Sequence, residues 1–434
     1  MDPVLVGIIG IVVLLLVLFF LGMPVGFAMA VVGFCGFWYV VSFRAAVSMV
    51  GADIWFTFSK YGLTVIPLFV LMGYLAFNAG IAERLYSAAY KWMGHWPGGL
   101  AIATIGADEL FAAICGSNTA TAATMGAVAL PQMEKYNYDT RLSSGTVVTG
   151  GTLGTVMPPS VVIIVIGLQT EQSIAKLFLG GILPAILLGI LFVVTILVLC
   201  HFYPHFGPPG PKTSFKEKVR ALPGVIEAVA IFVLVMGGLF LGLFTPTEAG
   251  AVGVLCTFVV ALATGKLTWK GFVSSIRDTL KISCMVIVLV TGAIIFGRFL
   301  AVTRIPFMVA DFAAALPVPP VVVLGLILVI YLIGGCVMDA LGFLVLTIPI
   351  FFPLGMALGF DPIWYSIILT MVTTLGAITP PVGVNIYVVK GLAPEISLTT
   401  IFKSVSFFLS ACIVCIIILI IFPQIVLLIP GIVQ

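Results

Sequence analysis

Long apolar stretches separated by short polar breaks run the length of the chain, as at Val4–Leu21, Ile282–Phe296 and Ile401–Ile429. Each is near the ~20 residues that a helix needs to cross ~30 Å of hydrocarbon. In the first half the pattern predicts spans at about 4–22, 24–43 and 62–80, an amphipathic stretch at 81–96 and an interrupted apolar segment at 97–131. A broken span near 144–166 and a span near 177–202 follow. The second half repeats the order, with spans near 223–244, 246–264 and 282–301, an arm at 302–317 and an interrupted segment at 318–358. Its broken span lies near 363–388 and its last span near 404–429. The expectation is an all-α polytopic membrane protein made of two repeats, 1–222 and 223–434. The first span has neither a basic n-region nor a small-residue cleavage site, and reads as a retained helix.

The two halves share a motif. TLGTVMPPS at Thr152–Ser160 returns as TLGAITPPV at Thr374–Val382. Paired prolines inside an apolar run cannot continue a helix undisturbed. Matching breaks in two halves point to a duplicated fold with a transport site between the copies. Each half holds five crossings plus one interrupted segment; five is odd, so the second repeat is inverted relative to the first.

Charge placement agrees with this topology. The segment 203–222 carries Lys212, Lys216, Lys218 and Arg220 and is assigned to the cytoplasm. Counting outward then leaves only Arg44, Lys60, Lys176 and Arg304 of the 19 Lys and Arg residues outside, with Arg298 in or near a span. That is the distribution the positive-inside rule requires, and it puts both termini outside.

The interrupted segments carry polar tips, CGSNTAT at 115–121 and GGCVMDALG at 334–342. Two arms of about 15 residues reach ~22 Å each, short of the membrane thickness, so each segment is read as a re-entrant helical hairpin. The first enters from the cytoplasm and the second from outside. Unwound backbone at that depth is tolerated only where protein or a wet cavity covers it. Exposed carbonyls with Ser, Thr and Asn oxygens suit a small hard cation, while half-helix N-termini favour an anion. Ser117, Asn118 and Thr119 would face Gly154–Pro159, and Gly335–Asp339 would face Gly376–Pro381. Asp339 is the sole acid of its segment, and an intramembrane carboxylate is a functional candidate.

Composition narrows the class further. Hydrophobic residues make up 62% and charged residues 8%, against roughly 25% charged in soluble domains. A net charge of +3 gives no footing for nucleic-acid binding. All eight cysteines lie in apolar context, and the CxxC at Cys412 and Cys415 reads as packing. No HExxH, GxSxG or phosphate-binding GxxxxGK[ST] occurs, so neither an intramembrane enzyme nor an ATP-driven pump is expected.

The segments AAICGSNTATAATMGAVALPQMEKYNYD, GGTLGTVMPPSVVIIVIG, FTPTEAGAVG, LTIPIFFPLGMALGFDPIWYSIIL and ITPPVGVNIYVVKGLAP resemble the large membrane subunit of tripartite ATP-independent periplasmic (TRAP) transporters. The likeness covers essentially the whole chain. It implies an elevator-type fold of the ion-transporter superfamily in the bacterial inner membrane. The implied activity is Na⁺-coupled uptake of a carboxylate, an organic or sugar acid. A small four-helix membrane subunit and a periplasmic substrate-binding protein are the implied partners. A first Na⁺ site would use Gly116, Ser117, Asn118, Gly154, Met157 and Pro159, and a second Gly335, Asp339, Gly376, Thr379 and Pro381. Substrate contacts would fall on Ser117, Ser160 and Asp339. Hairpins and broken spans would form the transport core, and the remaining spans and arms the scaffold. A stand-alone Na⁺/dicarboxylate symporter of the same superfamily is the alternative, though its tips would carry SNT in both halves, and here SNT occurs only at 117–119.

Two departures from the family pattern stand out. Thr373 and Thr374 occupy positions where many members carry a glutamate. Asp108 and Glu109 replace small apolar residues, and two adjacent carboxylates there must be paired, protonated or wetted. Arg298 is read as snorkelling to the interface.

Overall fold

The computed structural model describes residues 2–315 and 317–432, and no strand occurs among them. Leu316, in the arm expected at 302–317, and the terminal residues Met1, Val433 and Gln434 lie outside the described residues. The chain begins with α1 (Pro3–Leu21), α2 (Val25–Val40), α3 (Phe43–Ser59) and α4 (Val65–Asn78), followed by the amphipathic α5 (Ile81–Met93). Next come α6 (Gly99–Cys115) and α7 (Asn118–Lys135), then α8 (Thr140–Gly150), the single turn α9 (Leu153–Val156), α10 (Val161–Thr170) and α11 (Ile174–Phe202). The second half comprises α12 (Phe215–Phe240), α13 (Pro246–Ala263), α14 (Trp269–Val302), α15 (Ile305–Ala315), α16 (Pro320–Val337) and α17 (Ala340–Ala357). It ends with α18 (Pro362–Gly376), α19 (Val384–Leu392), α20 (Leu398–Ile421) and α21 (Gln424–Ile432). Among the described residues, ten helical stretches are long and apolar enough to cross a membrane, Thr140–Thr170 counting as one.

Polar caps set many of the starts. Ser214 with Glu217, and Thr245 with Glu248, form reciprocal capping boxes on α12 and α13. The Thr268 hydroxyl accepts from the Gly271 N–H at the start of α14. These caps place α12 and α14 well ahead of the spans expected at 223–244 and 282–301, because a capped polar turn continues into the apolar run. At the other end, Phe422 and Pro423 interrupt the span expected at 404–429, so α20 stops at Ile421. Proline offers no N–H and biases the residue before it away from helix. Pro131, by contrast, is carried inside α7, and the first hairpin runs on to Lys135.

Packing separates the helices into two groups. α1 to α4 pack with α12 to α14, the closest partners being α2 with α14 and α4 with α13. The two hairpins and two broken spans pack on one another. The spans expected at 177–202 and 404–429, which the expectation put in the scaffold, also pack on the hairpin group. α11 lies against α6, α9 and α18, and α20 against α8 and α18. α5 joins the groups, packing on α6 and on α12, where Arg84 and Glu227 pair at 2.8 Å.

α3 was not expected, and it changes the reading of Arg298. Rather than snorkelling, Arg298 points its Nη2 to within 3.3 Å of Oδ1 of Asp53 on α3. Asp53 is buried, and its second carboxylate oxygen has no partner among the described residues.

Candidate functional site

The first hairpin turns at Gly116, which closes α6 in the left-handed conformation with φ at 61°. Ser117 is extended and caps α7, its Oγ accepting from the Ala120 N–H at 3.4 Å. Facing this tip, the broken span unwinds over Met157–Ser160 between α9 and α10. Backbone meets backbone there. A Cβ on Gly154 would stand 2.6 Å from the Ser117 carbonyl oxygen and 2.7 Å from Thr121 Oγ1. The Gly116 carbonyl accepts from the Val161 N–H at 3.4 Å.

The second hairpin repeats the contact with other side chains. Asp339 takes the capping position, its Oδ2 accepting from the Leu341 N–H at 3.1 Å. A Cβ on Gly376 would lie 2.5 Å from the Gly335 Cα, and one on Gly335 would lie 2.6 Å from the Thr373 carbonyl oxygen. The Cys336 carbonyl accepts from the Val382 N–H at 3.2 Å, the counterpart of the Gly116–Val161 bond. Both breaks contain a cis proline, Pro159 and Pro381. Their surroundings differ: Met157, Pro159 and Ser160 are buried, whereas Pro380 and Pro381 are exposed.

Both tips open on one cavity of about 590 Å³. Gly116–Ala120 and Asp339–Leu341 line it, together with Thr155, residues of α4 from Val70 to Phe77, residues of α14 from Ile282 to Val286, and Val388 and Leu392 of α19. The structure thus brings Gly116, Ser117, Asn118 and Asp339 to shared space. Ser160 is fully buried and does not line the cavity, and its hydroxyl has no partner among the described residues. Gly154 lies behind the Ser117 carbonyl, and Gly335 and Gly376 lie behind the second tip. The Thr379 hydroxyl is turned back to the Leu375 carbonyl at 2.8 Å.

Three further residues belong to the site and carry little signal in the sequence. Thr121 and Thr155 are buried, and their hydroxyls have no partner among the described residues. Both lie at the first tip, Thr121 over Gly154 and Thr155 beside it. Such orphaned buried oxygens are costly unless something completes them. Asn385, on the half-helix after the second break, donates to the side chain of Asn118 and, at 3.0 Å, to the Val148 carbonyl. It was the lone amide in that apolar stretch.

Asp108 and Glu109 stand apart from the cavity. The Asp108 carboxyl lies against Gly150 of α8 and that of Glu109 against Gly189 of α11. None of the four oxygens has a hydrogen-bond partner among the described residues. Of the three conditions open to the pair, mutual or cationic pairing is therefore not what the structure shows.

Outside the spans, Asp139 caps α8 and is paired with Arg141 at 2.9 Å. The Arg141 side chain, bonded to this carboxyl, holds it below the ordinary aspartate range. The same guanidinium lies over the Phe206 ring, 4.5 Å from its centroid, and fastens the hairpin connection to the end of the first half.

Residues 12–425 match the family described as "Tripartite ATP-independent periplasmic transporter, DctM component". The chain is 34% identical over 337 residues to the C4-dicarboxylate TRAP transporter large permease protein DctM of Pseudomonas aeruginosa, covering 77% of this chain and 78% of that one. It is 30% identical over 414 residues to the sialic acid TRAP transporter large permease protein SiaM of Vibrio cholerae, covering 95% and 96%. Among solved structures, the YdaH transporter of Alcanivorax borkumensis superposes with a TM-score of 0.61 at 16% identity, covering 88% of this chain and 90% of that one, which shows a shared fold. The ten apolar stretches, the two tips and a match across nearly the full length lead to one statement: this multi-pass membrane protein belongs to the large permease, or DctM, family of TRAP transporters.

Proposed function

We propose that the chain is the translocating subunit of a Na⁺-coupled uptake system for an organic anion. In this reading the two hairpins, the two broken spans, α11 and α20 move as one block against the scaffold of α1 to α4 and α12 to α14. The observation that carries it is the pair of tip-to-break contacts made by backbone, both opening on the same cavity. Alternating access by rigid-body movement of one bundle against another is the way duplicated, inverted transporters work, and here the site would travel with the moving block.

The first cation position is the better provided. The Ser117 carbonyl and the free hydroxyl of Thr121 meet over Gly154, and the next residue, Thr155, carries a second free hydroxyl, a set of neutral oxygens suited to Na⁺. Gly116, Asn118, Met157 and Pro159 would contribute backbone from either side. At the second tip Asp339, with the backbone of Gly335, Gly376, Thr379 and Pro381, would hold another ion.

Charge assigns the cavity a side. Ile282 follows Lys281, and Val388 and Leu392 flank Lys390, two lysines that the charge count places in the cytoplasm. The cavity would then face inward, with both termini periplasmic. A small four-helix membrane subunit and a periplasmic binding protein would complete the system in the bacterial inner membrane. The test is reconstitution of this chain with its small partner in proteoliposomes. Uptake is expected only with the cognate binding protein outside and an inward Na⁺ gradient; uptake by the chain alone, indifferent to Na⁺, would overturn the proposal and favour a stand-alone carrier.

A further inference from the structure

The half-helices that follow the two breaks each cross to the opposite half of the chain. α10 packs on α17 of the second hairpin, and α19 packs on α7 of the first hairpin and on α8. The two crossings are built differently. The offset that lays Thr152 on Thr374 also lays Ile163 on Asn385 and Asn118 on Ala340. Ile163 is buried and turned to Gly181 of α11, a Cβ on which would stand 3.3 Å from it. At these equivalent positions the α10 crossing has two alkyl side chains and the α19 crossing has two amides.

Asn385 is fully buried on the first turn of α19, and its amide nitrogen meets three parts of the first half. It donates to the Asn118 side chain at the hairpin tip and to the Val148 carbonyl of α8, and a Cβ on Gly151 would stand 3.0 Å from it. The Gly151 carbonyl in turn accepts from the N–H of Gly154, the residue that meets the Ser117 carbonyl, at 3.0 Å. On its other side Asn385 lies two residues after Gly383, whose left-handed backbone (φ 63°) turns the chain beside Thr379. A Cβ on Gly383 would be 3.5 Å from the Thr379 carbonyl oxygen. One buried side chain thus stands between the backbone assigned to the second cation position and that assigned to the first.

An apolar contact slides at little cost. A buried amide that uses both of its N–H bonds fixes a register, because losing either acceptor leaves a polar group unpaired. We propose that Asn385 is a positioning residue that couples the two cation positions, so that filling the second raises affinity at the first. This rests on the two-site reading above and gives it a route for cooperativity. The coupling is reciprocal, so filling the first raises affinity at the second by the same factor.

The experiment follows hydrogen exchange of residues 116–121 against Na⁺ concentration, for the full chain co-purified with its small partner in lipid nanodiscs. In the native sequence Na⁺ is expected to protect this tip. Asp339→Asn weakens the second position and should raise the Na⁺ midpoint at the tip about fivefold or more. In an Asn385→Leu background the same substitution should move the midpoint by less than about twofold, completing a double-mutant cycle. A merely structural Asn385 would lower the unfolding temperature and leave the shift as it was. Asn385→Ala takes the place of the leucine variant should that one fail to fold. A midpoint unmoved by Asp339→Asn in the native background overturns the coupling without either Asn385 variant. A shift that persists in the Asn385 variant overturns Asn385 as the route, since a through-space effect of the lost charge would persist in this way. No protection of the tip by Na⁺ in the native sequence overturns the first cation position itself, and the coupling with it.

Discussion

The side-chain amide of Asn385 donates to the side-chain carbonyl of Asn118 across a sequence separation of 267 residues, and the same nitrogen reaches the Val148 carbonyl at 3.0 Å. One amide therefore ties the half-helix after the second break to the first hairpin tip and to α8. Asn385→Leu leaves the Asn118 oxygen and the Val148 carbonyl without this donor. The expected cost is about 1–3 kcal/mol, measured as thermal unfolding of the purified chain, together with a loss of uptake that exceeds the loss of folded protein. Wild-type uptake in Asn385→Leu would show that the two halves of the core do not need this tie.

The Gly335–Gly376 contact leaves no room for a methyl group. Gly376→Ala would press a Cβ to 2.5 Å from the Gly335 Cα, where only backbone could give way. Destabilisation of about 1–3 kcal/mol is expected, and Gly237→Ala, which meets nothing within 4 Å, is the matched control. Equal unfolding temperatures for the two variants would remove the close approach from the account.

Arg298 and Asp53 should respond unequally to substitution. The arginine side chain is 61% exposed and the aspartate 5%. Arg298→Met strands a buried carboxylate, whereas Asp53→Asn leaves a guanidinium with access to its surroundings. The first should cost more stability than the second by about 1 kcal/mol or more, read by urea or thermal unfolding in the same detergent. The reverse order would mean that the pair is not what holds α3 to α14.

Thr121→Val and Thr155→Val each delete one free hydroxyl over the first tip while nearly preserving shape. The Na⁺ concentration for half-maximal uptake should rise roughly fivefold or more in each, about 1 kcal/mol of ion binding. Unchanged Na⁺ dependence in both would place the cation elsewhere.

Asp139 gives a pH prediction at the edge of the membrane. Its carboxyl is held low by Arg141, so its contribution to stability is present above the ordinary aspartate value near ~3.9 and is lost as pH falls through its lower folded value. Asp139→Ala also removes the α8 cap, with an expected cost of about 1 kcal/mol at neutral pH. The difference from wild type should shrink on acidification; a constant difference in unfolding temperature from pH 7 downward would contradict it.

The legible part of this molecule was written in short-range signals. Gly-Pro breaks, N-caps and apolar length act over a few residues, which is why Thr152–Ser160 and Thr374–Val382, the polar tips and most helices can be read directly. The unread part joins distant positions. Nothing near Asp53 announces Arg298, 245 residues away, and so neither α3 nor its ion pair was visible. Thr121 looks like an ordinary helix threonine until the fold brings it over Gly154, beside Thr155. The contacts of α11 and α20 with the hairpin group are not legible for the same reason, since an apolar span does not say which neighbour it prefers.

The tips and breaks meet through carbonyls, N–H groups and missing side chains, and this governs how the family can change. A surface made of main chain passes almost unaltered through substitution of side chains that point away from it, and only its glycines would register in an alanine scan. Only the residue at the capping position, Ser117 in one half and Asp339 in the other, can vary without disturbing the contact behind it. Ion binding would thus be inherited with the fold, while a single cap is free to drift with the diet of the cell.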